Sequence, residues 1–527
     1  MRVGVSRRRA VQHLWTLLGV ASFGACGELE STRVSRDAVA LCDSVDTWFA
    51  AIQSAREDRL WQELHDRGVP LEDSSVDWWR RAFGDGVILE RLSEYAERSE
   101  DTTLTHRLRH TRATLLEAGV DFNPQVAAIL DTLIRALRGD VTESGVASAF
   151  PIRGAMPADK GSWFVRLVRL RNQEANGLGY GSYVEMRNAL GGIDRELLTN
   201  LYDRLDEGMS KEYDAALDSV RRRSLLSHGA QDLVAFAYGD PFDSNACDGA
   251  SARRSVAATF HNLGFPLDDL PIFIDSSRGF SDARRGGKSL CFAAHTPEDI
   301  RVSLVRPEGS YPLEAIADHF RALGSAVYFT GVTQTAYSER NPIGEFWPMV
   351  MGELFAEMVA QPDWLRVWGD SATISFEKEN ERALRRIIRA RFELSLARFE
   401  FAAYQDPNRD LNDLFWRLVN ETMRLNSPQT PPIWLSYSEL YSAPGALTLR
   451  PIVACVVAQT YAAAGRDLGS LVNNPLFGKF LSQRYFAPGA SRLWSELVFD
   501  ATGERLNPNY FLERLTLPES PAVASSP

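Results

Sequence analysis

The chain of 527 residues has the composition of an ordinary soluble globular protein, with 45% hydrophobic and 24% charged residues. Its formal net charge is −11. An acidic chain without a concentrated basic face is a poor candidate for nucleic-acid binding, so no nucleic-acid partner is expected.

The N-terminus has the pattern of an export signal. Several arginines, beginning with Arg2, precede an apolar stretch from Leu14 to Phe23 that is too short to span a membrane comfortably. Residues 1–25 are therefore predicted to be a signal peptide. The run Phe23-Gly24-Ala25-Cys26 resembles the lipobox of bacterial lipoproteins, in which the cysteine thiol accepts the lipid. An ordinary secretory signal that is cleaved nearby is the alternative.

Lipidation at Cys26 predicts an exported protein that is anchored to the membrane in the bacterial cell envelope, on the periplasmic or outer-membrane face. More than one acyl chain would give stable anchoring, whereas a single chain is only marginal. Residues 26–37 are predicted to be the tether between the membrane and the folded body. The remaining cysteines form no C-x-x-C pair, which argues against a zinc knuckle or a thioredoxin-type site; they are Cys42, Cys247, Cys291 and Cys455.

Helical periodicity dominates the rest of the chain. The predicted helices are Val39–Leu64, Leu89–Leu116, Val126–Leu137, Asp194–Arg223 and Asn380–Tyr404. Two short segments, Leu270–Ile274 and Ser289–Ala294, are the best strand candidates because turn residues flank them. The sequence therefore predicts a mainly α domain over residues 38–516 with a minor β element, followed by a disordered tail at 517–527.

One histidine pair has the spacing of metal ligands. His106 and His110 lie one helical turn apart, but Arg107 stands where a catalytic glutamate is needed. Arginines on the same helix would also repel a cation. We therefore interpret this segment as a surface helix rather than a metal site.

The segment from Ala317 to Phe329, ADHFRALGSAVYF, is the most informative part of the chain. Apolar residues occupy most of its helical circumference, which predicts a buried helix from an N-cap at Ser310 to about Thr330. Gly324 followed by Tyr328-Phe329 resembles the frame of the H-E-x-x-H helix in the angiotensin-converting enzyme family of zinc dipeptidyl carboxypeptidases.

The resemblance implies that this helix has lost its zinc chemistry. Arg321 and Ser325 stand at the two histidine positions, and Ala322 stands at the catalytic glutamate. Met349 stands at the family's third zinc ligand, a glutamate, while the acid one turn later is kept as Glu353. Zinc catalysis of this type needs two imidazoles, a carboxylate ligand and a glutamate base. Neither a metal nor another cofactor is therefore expected.

Two upstream segments agree with this register. The segment from Cys291 to Ala294 resembles the family's substrate-binding strand, which implies that Ala293 and Ala294 border the cleft. The segment from Arg171-Asn172 to Tyr183 resembles an upstream stretch with Asn, Ala and Gly-Tyr in similar order.

A downstream segment, Tyr441 to Arg450, resembles the stretch that holds the family's transition-state groups. With Arg450 matched to the family's arginine, Tyr441 stands at the oxyanion histidine and Pro451 at the following tyrosine. Glu439 replaces the lysine that binds the substrate's C-terminal carboxylate, which reverses the charge. The degenerate catalytic positions are Arg321, Ala322, Ser325, Met349, Tyr441 and Pro451.

The resemblance extends from about Arg171 to Leu515 and implies a two-lobed helical zinc-peptidase-like body with a deep central cleft. Our first hypothesis is a catalytically inactive lipoprotein that binds a peptide or protein partner in the former active-site cleft. We also expect the Arg321 guanidinium to occupy the metal region and to pair with Glu353, since a buried arginine without a partner is costly. The candidate cleft residues are Ala293, Ala294, Arg321, Glu353, Glu439, Tyr441 and Arg450.

Two alternatives remain open. One is an active zinc-dependent peptidase with displaced ligands, for instance around His295, His319 and Glu314, in which zinc would be the cofactor. The other is a structural envelope protein whose cleft is filled. Stoichiometric zinc would favour the first, and a body with no cavity near Arg321 would favour the second.

Overall fold

The computed structural model describes most of the chain between residues 30 and 518. The described ranges are 30–65, 87–121, 123–130, 133, 158–222, 230–238, 249–276, 288–306, 311–340, 345–368, 376–426 and 433–518. The signal peptide, Cys26, Cys247 and the tail beyond residue 518 lie outside these ranges. The described cysteines are free thiols: Cys42, Cys291 and Cys455.

The first half of the described chain is helical. Its helices are α1 (Glu30–His65), α2 (Val87–Arg98), α3 (Thr102–Asp121), α4 (Ala158–Gly177), α5 (Tyr183–Leu190), α6 (Arg195–Gly208), α7 (Ser210–Arg222), α8 (Ala230–Tyr238) and α9 (Gly249–Asn262). A further helical stretch covers residues 124–130.

In the chain, a small sheet follows these helices and precedes a second set of helices. The strands are β1 (Ile272–Asp275), β2 (Leu290–His295) and β3 (Asp299–Ser303). The later helices are α10 (Leu313–Gly331), α11 (Tyr337–Arg340), α12 (Phe346–Met358), α13 (Pro362–Trp368), α14 (Phe376–Gln405), α15 (Leu411–Met423), α16 (Glu439–Ser442), α17 (Ala446–Leu468), α18 (Pro475–Leu481), α19 (Trp494–Thr502) and α20 (Asn509–Glu513). The predicted mainly α fold with a minor β element is confirmed.

The helix predictions are correct in type but not at every boundary. Helix α1 begins at Glu30, so the described part of the predicted tether is helical. The predicted helix Leu89–Leu116 is divided into α2 and α3, because the Asp101 carboxylate accepts hydrogen bonds from the first amides of α3 and starts a new helix. The predicted helix Asp194–Arg223 is likewise divided into α6 and α7. Of Val126–Leu137, residues 126–130 and 133 are described, and all are helical.

The three strands form one sheet in the order β1-β3-β2. Strand β1 is parallel to β3, and β2 is antiparallel to it. The sequence predicted β1 and β2 but missed β3, because Ile300 and Val302 are too few for apolar alternation to stand out. Since β3 lies in the middle, β2 is an edge strand of the sheet.

Helices α10 and α12 pack backbone against backbone at two glycines. A Cβ atom at Gly324 would lie 2.9 Å from the Met351 carbonyl oxygen, and one at Gly352 would lie 2.9 Å from Ser325 Oγ. Any larger residue would push the helices apart. This close packing brings the positions of the predicted degenerate zinc site together. Helix α10 begins after Pro312, and the predicted N-cap Ser310 lies outside the described residues.

Helix α17 is the central core helix. It is long and apolar enough to cross a membrane by composition, but 78% of its most apolar window is buried inside the body. Its start is fixed by the fully buried Glu400 of α14, whose carboxylate accepts from the amides of Gly445 and Thr448 at 2.8 Å each. Gly445 has a φ of +93°, a conformation that suits glycine.

The prediction of a surface helix around His106 and His110 is wrong. Helix α3 packs in an N-terminal helical layer, where Arg107 donates to Asp43 at 2.6 Å and to Asp46 at 2.7 Å. Charged residues in the sequence suggested solvent, but these arginine and aspartate side chains pair between α1 and α3. Arg107 therefore lies in a helix interface, and both histidines are partly buried.

Candidate functional site

Side chains of α10 and α12 meet where the sequence predicts a vacant metal site. The Arg321 guanidinium donates from Nε to Glu353 Oε1 at 2.6 Å and from Nη2 to Oε2 at 3.2 Å. The predicted ion pair is therefore present, with the paired geometry that suits a guanidinium and a carboxylate. The expectation that the arginine is buried is wrong, because the two side chains are 40% and 46% exposed.

The surroundings of this ion pair favour the charged form of both groups. Desolvation has the largest influence on the pKa of each group, although both side chains remain accessible. Attraction between the two groups outweighs desolvation, so the pKa of Arg321 is raised and that of Glu353 is lowered. Arg450 and Arg389 lower the pKa of Glu353 further. Both members of the pair are therefore charged at neutral pH.

The residues at this position do not fit a zinc ion. The Ser325 hydroxyl donates to the Pro348 carbonyl at 2.8 Å, which ties α10 to α12. Ala322 is buried and offers no ligand atom, and Met349 packs against the core. A guanidinium has no acceptor for a metal, whereas zinc sites are built from imidazole, thiolate and carboxylate. Within the described ranges, no group of three or more potential metal ligands occurs.

A second ion-paired group lies at the start of α16. Glu439 accepts from Arg450 Nη2 at 2.9 Å and from Lys288 Nζ at 3.0 Å. Desolvation opposes ionisation of this carboxyl, but Lys288 and Arg450 hold its pKa at about 2. The carboxylate at this position is thus charged and already bound to two cations.

Helix α14 contributes two charged groups that the sequence analysis missed. Arg389 donates to Glu314 at 2.8 Å. One turn later, Glu393 accepts from the Tyr238 hydroxyl at 3.3 Å and lies 4.0 Å from Arg450 Nη1. The only local feature of Arg389 and Glu393 in the sequence is that they lie one helical turn apart. Many charged pairs in this arginine-rich chain have the same spacing, so it does not identify a site. We call the surface formed by Arg321, Glu353, Arg389, Glu393, Glu439 and Arg450 the central recess.

The edge strand β2 begins beside this surface. The Ser289 amide donates to Asp318 Oδ2 at 2.8 Å, and Arg321 Nη1 lies 3.8 Å from Asp318 Oδ1. Asp318 therefore links the start of β2 to α10. Further along the strand, Ala293 is partly accessible and Ala294 is buried.

Two predicted site residues are buried behind the recess. The Tyr441 side chain is 2% exposed, and its hydroxyl has no hydrogen-bond partner among the described residues. The Tyr441 carbonyl accepts from Arg171, a buried landmark residue, at 2.9 Å. Pro451 is buried inside α17. The structure therefore brings these residues to the site, but not to its solvent-facing surface.

The structure does not bring together the three residues suggested as displaced zinc ligands. His319 is buried, with Nε2 2.8 Å from the Val305 carbonyl oxygen. His295 is half exposed and lies 3.5 Å from Glu298. Glu314 pairs with Arg389. Each of the three thus has a separate partner.

Comparison with solved structures identifies proteins of the same fold. The M32 carboxypeptidase from Deinococcus radiodurans R1 matches with a TM-score of 0.59 and 13% identity, over 92% of this chain and 97% of that one. Trypanosoma cruzi metallocarboxypeptidase 1 matches with a TM-score of 0.63 and 12% identity, over 92% and 99%. A Pyrococcus furiosus carboxypeptidase matches with a TM-score of 0.62 and 13% identity, over 93% and 99%. No protein-family model matches the chain, and no curated protein matches it by sequence.

These similarities extend over nearly the whole chain and confirm the predicted fold class. The protein has the helical fold of these metallocarboxypeptidases. Identities of 12–13% establish the fold alone. The chain is therefore a peptidase-like protein by architecture.

Proposed function

We propose that this protein is a catalytically inactive, peptidase-like lipoprotein that binds a peptide or protein segment in the central recess. The Arg321–Glu353 ion pair is the observation that carries the proposal. It puts a cation with its carboxylate partner at the position where the resemblance implies a metal. A zinc peptidase needs a metal to make the nucleophilic water and a base to take its proton, and Arg321, Ala322, Ser325 and Met349 supply neither.

The accessibility of the recess supports a binding role. Arg321 and Glu353 are 40% and 46% exposed, so a ligand can reach both charges. Strand β2 lies at one edge of the described sheet, and an extended peptide can bind by adding a strand at such an edge. Charged side chains along the recess would then select among peptides.

Within this fold we propose a relationship to the angiotensin-converting enzyme family. The two segments that carry the resemblance are Cys291–Ala294 and Tyr441–Arg450. The positions of both segments support this proposal. Strand β2 begins beside the central recess, and Arg450 is one of the residues that form it.

We further propose that the protein is exported and is held in the bacterial cell envelope by a lipid on Cys26. Helix α1 begins at Glu30, so only a few residues would separate the lipid from the folded body. The recess would then meet peptides close to the membrane surface. Labelling with a radioactive fatty acid tests this anchor, and Cys26→Ser should abolish the label.

A combined binding and hydrolysis assay tests the function. The purified protein is titrated with blocked tetrapeptides while hydrolysis is followed by mass spectrometry, with added zinc and with chelator. We expect saturable binding without cleavage, and the same affinity in both conditions. Cleavage that chelator abolishes would instead establish an active zinc-dependent peptidase with displaced ligands.

A matched pair of variants connects binding to the recess. Glu353→Ala removes the carboxylate from the recess, while Glu421→Ala removes one from an exposed arginine pair on α15. Peptide affinity should change for the first variant and remain unchanged for the second. Equal peptide affinity of the two variants would mean that the peptide binds outside the recess.

A further inference from the structure

We propose that Glu439 is a binding subsite for a primary ammonium group, such as a lysine side chain or an amino terminus. This inference rests on the peptide-binding function proposed above and names the chemistry that the recess selects. The resemblance implies a lysine at this position, which would bind a ligand carboxylate. A carboxylate at the same position attracts the opposite charge.

The structure shows an ammonium group already seated at Glu439. Lys288 Nζ lies 3.0 Å from Glu439 Oε1, although the lysine side chain is 63% exposed. Glu439 is only 20% exposed, and its other cationic partner, Arg450, is fixed on α17. Because an ion pair with an exposed lysine contributes little free energy, an incoming ammonium can displace Lys288 while the Arg450 contact stays. The Lys288 ammonium therefore occupies the position that we assign to the ammonium group of the ligand.

The charge balance of the recess also favours a cationic ligand. Each of the three recess arginines already forms a hydrogen-bonded pair with a carboxylate: Arg321 with Glu353, Arg389 with Glu314 and Arg450 with Glu439. Two more acids lie at or beside this surface and have no hydrogen bond to a basic side chain among the described residues. Glu393 accepts from a tyrosine hydroxyl, and Asp318 accepts from a backbone amide. Among the described residues named here, five acids lie with three arginines and Lys288.

An unpartnered hydroxyl beside Glu439 gives a second, independent indication. The Tyr441 hydroxyl is buried and has no hydrogen-bond partner among the described residues. Burial and, after it, the nearby Glu439 charge raise the pKa of this phenol, so it stays protonated. A buried polar group without a partner is costly, which suggests that a ligand completes it. A primary ammonium has three donors, so one that is bound to Glu439 still has donors for a neighbouring acceptor.

Calorimetric titration of the full chain tests the subsite. The probes are three blocked tetrapeptides that differ at one position, which holds lysine, alanine or glutamate. The lysine peptide should bind most tightly. Lys288→Ala should tighten its binding about two- to fivefold, because the internal competitor is gone. Glu439→Gln should weaken its binding about tenfold or more and leave the alanine peptide unchanged.

Controls and outcomes separate this inference from the proposed function. Lys479→Ala and Glu196→Gln change exposed residues outside the recess and should have no effect. Equal binding of the three peptides, or no gain in Lys288→Ala, overturns the ammonium subsite but leaves peptide binding intact. No binding of any peptide overturns both proposals. If Glu439→Gln does not fold, the Lys288→Ala variant still tests the subsite, because replacing an exposed side chain should not prevent folding.

Discussion

The central recess and the start of α17 use the same kinds of polar group in opposite environments. In the recess, Arg321 and Glu353 pair while 40% and 46% exposed. At the start of α17, the fully buried Glu400 accepts two backbone hydrogen bonds, from Gly445 and Thr448.

The difference separates groups that hold the fold from groups that are available to a ligand. A buried carboxylate with two amide donors is costly to remove, because the donors are left unsatisfied. An accessible ion pair contributes little to stability because water and salt compete with it. The accessible Arg321–Glu353 pair is thus energetically dispensable, whereas Glu400 is not.

The largest expected effect is at Glu400. Glu400→Ala should lower the free energy of unfolding by about 3 kcal/mol, because two buried amides lose their acceptor. Urea unfolding followed by circular dichroism measures this, with the exposed Glu196→Ala as control. A change below about 0.5 kcal/mol, which is typical of surface positions, would refute the role of Glu400 in fixing α17.

Glu400 should also make stability depend on pH. Burial is the main influence on its pKa and raises it from 4.5 to about 7 in the folded protein, although the two amides oppose this. The folded state therefore holds the proton more tightly than the unfolded state. The stabilisation, up to about 3 kcal/mol, is complete below pH 4.5 and is lost as the pH rises through 7.

Comparison of wild type with Glu400→Gln across this range isolates the effect. The variant should lack this part of the decline in unfolding free energy between pH 4.5 and 7. A wild type that gains stability relative to the variant as the pH rises would show the opposite shift in pKa.

Gly324 tests the packing under the recess. Gly324→Ala places a Cβ 2.8 Å from Phe355 and 2.9 Å from the Met351 carbonyl oxygen, so α10 and α12 must separate. We expect a loss of about 1–3 kcal/mol in unfolding free energy. Gly119→Ala, in a helix with open space around the glycine, should be neutral or slightly stabilising.

The smallest effect should come from the recess itself. Glu353→Ala should lower the unfolding free energy by no more than about 1 kcal/mol, because the pair is accessible. Glu421→Ala on α15 is the matched control. A loss comparable to that of Glu400→Ala would mean that the pair is structural, and the contrast between the two regions would disappear.

The sequence predicted the parts of the site that depend on helical spacing. Arg321, Ser325 and Glu353 were placed by the resemblance to the family's H-E-x-x-H helix and by the family's spacing to its third ligand, and the structure pairs Arg321 with Glu353. Glu439 and Arg450 were also predicted, since they belong to one short segment of the chain. The structure adds that Arg450 Nη2 donates to Glu439 at 2.9 Å, a contact that was not predicted.

The rest depends on contacts between distant segments. Lys288, Glu393 and Arg389 reach the recess from a loop and from α14, and nothing local in the sequence marks them. Accessibility was also misjudged: Arg321 was expected to be buried and is not, whereas Arg107 was placed on a surface helix and lies in a helix interface. Apolar periodicity shows which face packs, but not whether a recess opens over it.

Zinc content tests the central claim most directly. The purified protein is incubated with zinc, dialysed and analysed by inductively coupled plasma mass spectrometry. A variant combining Arg321→His, Ser325→His and Met349→Glu, which restores the ligand types, serves as the comparison. We expect substoichiometric zinc in the wild type and a gain in the variant. One tightly held zinc ion per wild-type chain, removable by chelator, would contradict the account.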